Sequence, residues 1–224
     1  MITIRNLNKI HNQGRGNEFQ SLHDIDLEVA AGQLVVLQGV SGSGKTTLLS
    51  ILGALIKPTS GEVIVDGRRV AKLPDLHASR FRSHNLGFVF QHFNLFETLD
   101  VARNVSVPLI PQGLGQGEVD RRVAAAMELA GIEHKARQRV ADLSGGEKQR
   151  CAIARALVTK PRVVLCDEPT ANLDRENTLR FIAILRRLKE RETTVVVATH
   201  DPVFADLDVV DQVVAMRGGR IVAP

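Results

Sequence analysis

The segment GVSGSGKT at residues 39–46 contains the residue types that enclose phosphate groups. It follows an apolar run at residues 33–38 that is predicted to be a strand, and it precedes a helix predicted from Lys45 to about Leu55. Glycines let successive backbone N–H groups face one concavity, and a helix N-terminus adds positive potential. Lys45 can then reach the β- and γ-phosphates of a nucleotide, and the Thr46 hydroxyl can ligate Mg²⁺. The predicted nucleotide ligands are Gly39, Val40, Ser41, Gly42, Ser43, Gly44, Lys45, Thr46 and Thr47.

An acidic pair follows a second apolar run, at residues 162–166. The run is predicted to be a central strand, and Asp167 and Glu168 come directly after it. An α/β sheet places its ligand contacts at the carboxyl ends of its strands. Asp167 is therefore predicted to lie in the shell of Mg²⁺, and Glu168 to act as the general base for an attacking water. Together with the glycine-rich segment, this pair predicts a P-loop nucleoside triphosphatase.

A second helix start with anion-binding character occurs in the sequence LSGGE at residues 143–147. Ser144, Gly145 and Gly146 expose backbone N–H groups and a hydroxyl at the N-terminus of a predicted helix. The glycine-rich segment already encloses the phosphates of one nucleotide. A second anion site is most useful if it closes on a nucleotide that is bound to another copy of the chain.

These motifs make the chain resemble the ABC ATPase family over nearly its whole length. The resemblance implies a head-to-tail homodimer with two ATP molecules held between the phosphate loop of one copy and the LSGGE segment of the other. It implies that Gln91 senses Mg²⁺ and the coupling groove, and that His200 contacts the γ-phosphate. Asp174, in the sequence ANLD, is implied to contact the opposite subunit. The implied catalytic residues are Glu168, His200, Gln91 and Lys45, and the implied metal ligands are Thr46, Gln91 and Asp167.

The adenine-binding position departs from the family pattern. The family usually has a tyrosine after a Lys-x pair near the N-terminus, whereas here His11 follows Lys9 and Ile10. An imidazole offers a smaller stacking surface than a phenol ring. We therefore predict weaker adenine discrimination, with His11 as the stacking residue and Phe19 as the alternative.

Two further segments resemble the lipoprotein-releasing and macrolide-exporting branch of the family, GFVFQHFNL at residues 87–95 and NVSVPL at residues 104–109. Members of that branch pair with a membrane subunit of four transmembrane helices and a large extracytoplasmic domain. Arg103 stands where the branch usually has glutamate, in the region expected to receive the partner's coupling helix. An importer subunit remains an alternative. A soluble ABC ATPase that acts on the ribosome or on DNA is another, disfavoured because the chain has a single such domain and no coiled-coil arms.

The predicted fold class is α/β, with a P-loop core built on a mostly parallel sheet. An N-terminal antiparallel β subdomain and a helical insertion complete it. The whole chain, residues 1–224, is predicted to form one domain, in which residues 1–95 and 141–224 make the core and about residues 96–140 make the insertion. Strands that recur at helical intervals favour right-handed crossovers and hence a parallel sheet.

Composition excludes several other classes of protein. Hydrophobic residues make up 44% of the 224 residues and charged residues 24%, which is typical of a globular protein. No apolar stretch approaches the roughly 18 residues that cross a bilayer, and the N-terminus lacks the pattern of a signal peptide. The net charge of +4 comes from interspersed residues, and Tyr and Trp are absent, so no nucleic-acid partner is predicted. We predict a cytoplasmic protein held at the inner face of the cell membrane by its partner.

Overall fold

A computed structural model describes residues 1–171 and 173–222. Asn172, part of the ANLD segment, lies outside the described residues. In chain order the strands and α-helices are β1 (Ile2–His11), β2 (Phe19–Val29), β3 (Leu34–Gln38), α1 (Lys45–Leu52), β4 (Ser60–Val65), β5 (Arg68–Arg69), α2 (Asp75–Asn85), β6 (Leu86–Val89), α3 (Val101–Ser106), α4 (Gln116–Ala130), α5 (Gly145–Leu157), β7 (Val163–Asp167), α6 (Arg175–Glu190), β8 (Thr194–Thr199), β9 (Gln212–Arg217) and β10 (Arg220–Val222). Within these ranges, no helix is both long enough and apolar enough to pass through a bilayer.

The central sheet has the strand order β10-β9-β3-β8-β7-β6. Every pair of adjacent strands from β9 to β6 is parallel, and β10 pairs antiparallel with β9 at the edge of the sheet. Strands β7 and β8 are buried along their whole length, as is β3 apart from its last residue. Parallel sheets are covered on both faces, and their strands are therefore continuous apolar runs. The predicted α/β class with a mostly parallel sheet is confirmed.

The two faces of the central sheet pack into two different apolar clusters. Side chains alternate across a strand, so Leu34 and Val36 of β3 join one cluster while Val35 and Leu37 join the other. The first cluster also contains the buried faces of α3, α4, α5 and α6. The second cluster contains α1 and the N-terminal strands. The sheet is thereby fixed between two layers, and the carboxyl ends of its strands present side chains at one edge.

The N-terminal strands form a separate sheet in the order β2-β1-β4-β5, with antiparallel neighbours throughout. This confirms the predicted antiparallel β subdomain. Several register shifts interrupt the pairing of β1 with β2, which ends with His11 opposite Phe19. The end of β1 and the start of β2 therefore bring two aromatic rings together close to the glycine-rich loop.

The predicted helical insertion contains α3 and α4, joined by a 3-10 helix at Val107–Gln112. Pro108 and Pro111 lie in this connection, where a proline removes the backbone donor that an α-helix needs. Asn104 is fully buried in α3, and its side chain bonds both the N–H and the carbonyl of Phe96. The entry to the insertion is thereby fixed. Its boundaries near residues 96 and 140 stay a prediction.

Candidate active site

The glycine-rich loop joins the end of β3 to the start of α1. Gly42 and Gly44 have φ values of 78° and 101°, in the left-handed region where glycine is the favoured residue. A Cβ on Gly44 would lie 2.8 Å from the carbonyl oxygen of Ser21, so the loop is also packed too closely for a side chain there. The chain can therefore curl beneath the helix start, which is the geometry that presents backbone N–H groups to an anion.

Lys45 is the first residue of α1, and only 4% of it is exposed. Its Nζ donates hydrogen bonds to the carbonyl oxygens of Gly39, at 2.6 Å, and Val40, at 3.1 Å. The same ammonium lies 3.5 Å from Oε1 of Glu168. The cation is thus held over the loop, where it can also meet the negative charge of a phosphate.

Asp167 ends β7 beside α1. The Thr46 hydroxyl donates to Oδ1 of Asp167 at 3.0 Å. Burial raises the pKa of Asp167 above its ordinary value, and the hydrogen bond from Thr46 opposes that rise only in part. A buried carboxylate next to a hydroxyl is an oxygen donor set that suits Mg²⁺ and that a cation would stabilise. Within the described ranges, no group of three His, Cys, Asp or Glu side chains converges as metal ligands. The Thr46 hydroxyl and the Asp167 carboxylate fit Mg²⁺, which would take its other ligands from phosphate oxygens and water.

Glu168 occupies a strained position immediately after β7. Its φ is 44°, which is unfavourable for a residue other than glycine and costs on the order of 1–3 kcal/mol. A hydrogen bond from its N–H to the carbonyl of Ala198, at 2.8 Å, fixes the backbone. Oε2 of Glu168 lies 2.9 Å from Nδ1 of His200 and also accepts from the His200 N–H at 3.3 Å. Neighbouring parallel strands, β7 and β8, thus bring this carboxylate and this imidazole together.

These groups surround a cavity of about 390 Å³. Its walls combine the loop with residues from four other parts of the sequence, and its lining residues are Phe19, Ser21, Ser41, Gly42, Ser43, Gly44, Lys45, Thr46, Thr47, Gln91, Glu168 and His200. The structure therefore brings the loop, Glu168, Gln91 and His200 around one cavity, whereas Gly39, Val40 and Asp167 lie outside its lining. An anionic ligand in this cavity would meet Lys45 and the helix start, next to a carboxylate.

The position of His11 differs from the simplest expectation. Its ring stacks on Phe19, with centroids 4.7 Å apart and planes inclined by 10°, and its Nε2 bonds the Ser21 hydroxyl at 2.9 Å. Phe19 and Ser21 line the cavity, whereas His11 supports them from the adjacent strand. Sequence analysis did not identify Ser21. The two-residue period of β2 could have revealed it, because Phe19 and Ser21 share a face.

The LSGGE segment forms the start of α5, away from the lining of this cavity. Ser144 caps the helix by accepting from the Glu147 N–H at 3.3 Å, and the Glu147 carboxylate accepts from the Ser144 N–H at 2.8 Å. This reciprocal pair is a capping box. Gly145, Gly146 and Asp174 likewise lie outside the cavity lining. Their predicted contact with a nucleotide on another copy stays a prediction.

Comparisons with known proteins agree with this geometry. The family model described as ABC transporter matches residues 22–171. The lipoprotein-releasing system ATP-binding protein LolD of Pseudoalteromonas translucida is 41% identical over 92% of this chain and 89% of its own length. The methionine import ATP-binding protein MetN of Corynebacterium jeikeium is 39% identical over 99% of this chain but only 60% of its own length.

A solved structure gives the same result for the fold. The dimeric ATP-binding cassette MJ0796, in a post-hydrolysis state bound to ADP and Pi, superposes with a TM-score of 0.92 at 35% identity. The superposition covers 100% of this chain and 97% of that one. The chain therefore belongs to the ABC transporter family, in which it is an ATP-binding subunit and an ATPase.

Proposed function

We propose that this chain is the ATP-hydrolysing subunit of an exporter or mechanotransmission system of the lipoprotein-release or macrolide-efflux type. ATP hydrolysis is supported above all by one observation, the convergence of Lys45, Glu168 and His200 around one cavity. The similarity to LolD over 92% of the chain favours the branch. In this proposal the protein is cytoplasmic and lies at the inner face of the membrane, bound to a membrane subunit with four transmembrane helices and a large extracytoplasmic domain.

The proposed reaction is phosphoryl transfer from ATP to water. Lys45, Thr46 and the N–H groups of the loop hold the triphosphate in place. Glu168 accepts a proton from water as the water oxygen forms a bond to the γ-phosphorus, and the bond from that phosphorus to the bridging oxygen of ADP breaks. His200 and Gln91 position the reacting groups. Each of these groups supplies positioning or charge stabilisation, which are the main requirements of this chemistry.

Thr46, Asp167 and Gln91 are the proposed residues for Mg²⁺. The hydrogen-bonded pair of Thr46 and Asp167 supports this assignment, as does the burial that raises the pKa of Asp167. The bound ion would neutralise charge on the phosphate oxygens. Gln91 lines the same cavity from the end of β6, within the group of residues that surrounds the phosphate-binding loop.

The working form is proposed to be a head-to-tail homodimer around two ATP molecules. Ser144, Gly145, Gly146 and Asp174 lie outside the cavity that contains Lys45, although their segments have exposed backbone donors and side-chain oxygens. A second copy allows these groups to contact a nucleotide from the opposite side. The dimeric state of MJ0796, with 35% identity to this chain, supports the same assembly.

Phe19 is the proposed stacking surface for adenine, with His11 as its support. About 55% of Phe19 is exposed and it lines the cavity, while His11 covers one side of its ring. This arrangement favours the second of the two candidates identified from the sequence. A phenyl ring offers more stacking area than imidazole.

A groove on the helical insertion is the proposed docking surface for the membrane subunit. It encloses about 350 Å³ between α3, the 3-10 helix and α4, and it includes Arg103, Leu109, Ile110 and Val123. Ile110 is 74% exposed and lines this groove together with Leu109, Leu114 and Val119, so it adds to a continuous apolar surface. We further propose residues 1–95 and 141–224 as the core and residues 96–140 as the inserted part that bears this surface.

An importer subunit is the second candidate, because MetN of Corynebacterium jeikeium matches nearly the whole chain at 39% identity. The two candidates differ in the membrane subunit they require. No nucleic-acid partner is proposed, since the basic residues are interspersed with acidic ones.

The decisive experiment is affinity capture of tagged Glu168→Gln with Mg-ATP from gently solubilised membranes, with mass spectrometry of the recovered proteins. Glu168→Gln keeps the size of the side chain but removes the proton acceptor, and we expect an ATP-dependent dimer with turnover abolished. A four-helix subunit with a large external domain would support the exporter type. A many-helix permease would favour the importer type. Ribosomal or chromosomal proteins without a membrane subunit would contradict the transport role. Tagged Lys45→Ala/Glu168→Gln is the control for capture that does not depend on nucleotide.

A further inference from the structure

We propose that Asn177 is a positioning residue that joins the LSGGE helix start to Asp174, so that the two segments enter the dimer interface as one unit. This inference rests on the proposed function, in which both segments contact a nucleotide or subunit across the interface. Asn177 lies in the first turn of α6 and belongs to none of the motifs identified in the sequence.

The amide of Asn177 makes hydrogen bonds in two directions. Its Oδ1 accepts from Nη1 of Arg150, on α5, at 2.6 Å. Its Nδ2 donates to Oδ1 of Asp174 at 3.0 Å, and its backbone N–H donates to the same oxygen at 2.8 Å. One side chain therefore connects the helix that begins with the LSGGE residues to the carboxylate that caps α6.

Packing joins the same two segments. A Cβ on Gly146 would fall 2.6–2.8 Å from the Nδ2, Cγ and Oδ1 atoms of Asn177. The amide thus lies directly against the backbone at the start of α5. A side chain at position 146 would have to displace the Asn177 amide from this contact within one copy of the chain.

Arg150 depends on this amide. Its Nε is buried and has no hydrogen-bond partner in the part of the chain that the structure describes. Burial also lowers the pKa of its guanidinium, as expected for a cation that has lost part of its hydration. Loss of the Asn177 acceptor would therefore be costly, because Nη1 of Arg150 is a charged, partly buried donor that would be left without this hydrogen bond.

The consequence concerns association more than folding. A dimer interface is weakened when its segments must be ordered as the two copies meet, because each immobilised group loses conformational entropy. Asn177 holds both segments before the second copy arrives. A two-fold symmetric dimer contains this arrangement twice, so removing the Asn177 amide weakens the association at two places. We expect the dimer dissociation constant to rise about tenfold when the amide is removed.

The test uses the full chain in the Glu168→Gln background at saturating Mg-ATP, with the dimer dissociation constant measured by sedimentation. Asn177→Leu keeps the approximate volume and removes both hydrogen bonds. We expect it to dimerise about tenfold more weakly, while the affinity of the monomer for a fluorescent ATP analogue changes less than twofold. Leu179→Ala is the matched control, since Leu179 is 57% exposed on the same helix. In the hydrolytically active chain, Asn177→Leu should lower the rate at low protein concentration and regain it as concentration rises.

A second pair of variants keeps the proposal testable if Asn177→Leu folds poorly. Asn177→Asp keeps the acceptor for Arg150 but replaces the donor to Asp174 with a like charge, and it should also weaken the dimer. In a double-mutant cycle, Arg150→Met and Asn177→Ala should be less than additive, because each removes the same bond. Equal dimerisation by the parent and by all Asn177 variants would overturn the inference alone. Failure of the Glu168→Gln parent to dimerise would instead overturn the proposed function, and this inference with it.

Discussion

Nδ1 of His200 lies 2.9 Å from Oε2 of Glu168. The two residues follow the ends of adjacent parallel strands, and the backbone N–H of His200 reaches the same oxygen at 3.3 Å. Lys45 approaches the other carboxylate oxygen at 3.5 Å. The carboxylate of Glu168, the proposed general base, is therefore held from two sides by His200 and Lys45, and its rotation is restricted even without bound nucleotide.

The first prediction concerns His200→Ala. Without the imidazole, the Glu168 carboxylate can rotate away from the orientation in which it would accept a proton from water. We therefore expect kcat to fall by about 10²–10³-fold. The KM for ATP should change far less, since the loop and Lys45 still hold the phosphates. His200→Asn, whose amide can occupy the place of Nδ1, should recover part of the rate. Steady-state kinetics decide the matter, and near-normal kcat in His200→Ala would remove His200 from this role.

The second prediction separates Phe19 from His11. Phe19→Ala removes the ring that lines the cavity, and base–aromatic stacking is worth about 1–3 kcal/mol, so KM for ATP should rise at least about fivefold. His11→Ala removes only the support behind that ring and should have a smaller effect. Phe19→Tyr is the control that keeps the stacking surface. Comparing ATP with GTP in each variant measures base discrimination, and a larger effect from His11→Ala would assign the base to His11.

The fold and the central chemistry were predictable because they depend on short segments. A buried strand, a tight turn and a helix start fix the loop and Lys45 relative to each other. The acidic pair then follows from the rule that ligand contacts gather at the carboxyl ends of parallel strands. Each motif is short, and the sheet brings the two motifs together although they lie far apart in the sequence. The Thr46 hydroxyl donates to Oδ1 of Asp167 at 3.0 Å.

The details that sequence analysis missed depend on long-range register and packing. The stacking of His11 on Phe19 follows from a β1–β2 pairing that shifts register several times, and such shifts have no clear signal in the sequence. The contact between Gly146 and Asn177 joins residues from two helices whose relative placement is set by the shared core. The positive φ of Glu168 arises where the chain leaves β7 and bonds to Ala198.

The third prediction concerns the groove on the helical insertion. Ile110→Ser should lower recovery of the membrane subunit in affinity capture, because the substitution removes exposed apolar surface from the proposed docking site. Leu76→Ser is the matched control, since Leu76 is 79% exposed but lies on α2. Recovery is measured from equal amounts of folded protein. Equal losses in both variants would show that the groove has no special part in docking.

The last prediction concerns the capping box at the start of α5. A hydrogen bond from the Ser144 N–H lowers the pKa of Glu147 from its ordinary 4.5 to about 2, and a salt bridge with Lys135 acts in the same direction. A carboxyl group whose pKa is lower in the folded state stabilises that state above pH 4.5, and the contribution disappears as the pH falls through the range from 4.5 to 2. Glu147→Gln keeps the capping geometry but removes the charge, which should cost about 1 kcal/mol at neutral pH.

Urea unfolding of the wild type and Glu147→Gln at several pH values between 7 and about 3 measures this difference. The gap in unfolding free energy should be constant near neutral pH and should narrow as the solution is acidified below 4.5. Glu128→Gln, at an exposed position on α4, provides the control for a general effect of lost charge. A gap that is unchanged across the whole range would mean that the Glu147 charge does not stabilise the helix start. Ser144→Ala should lower the free energy of unfolding by about 1 kcal/mol at every pH at which Glu147 is ionised. The substitution removes the hydroxyl that accepts from the Glu147 N–H, which is the other half of the cap.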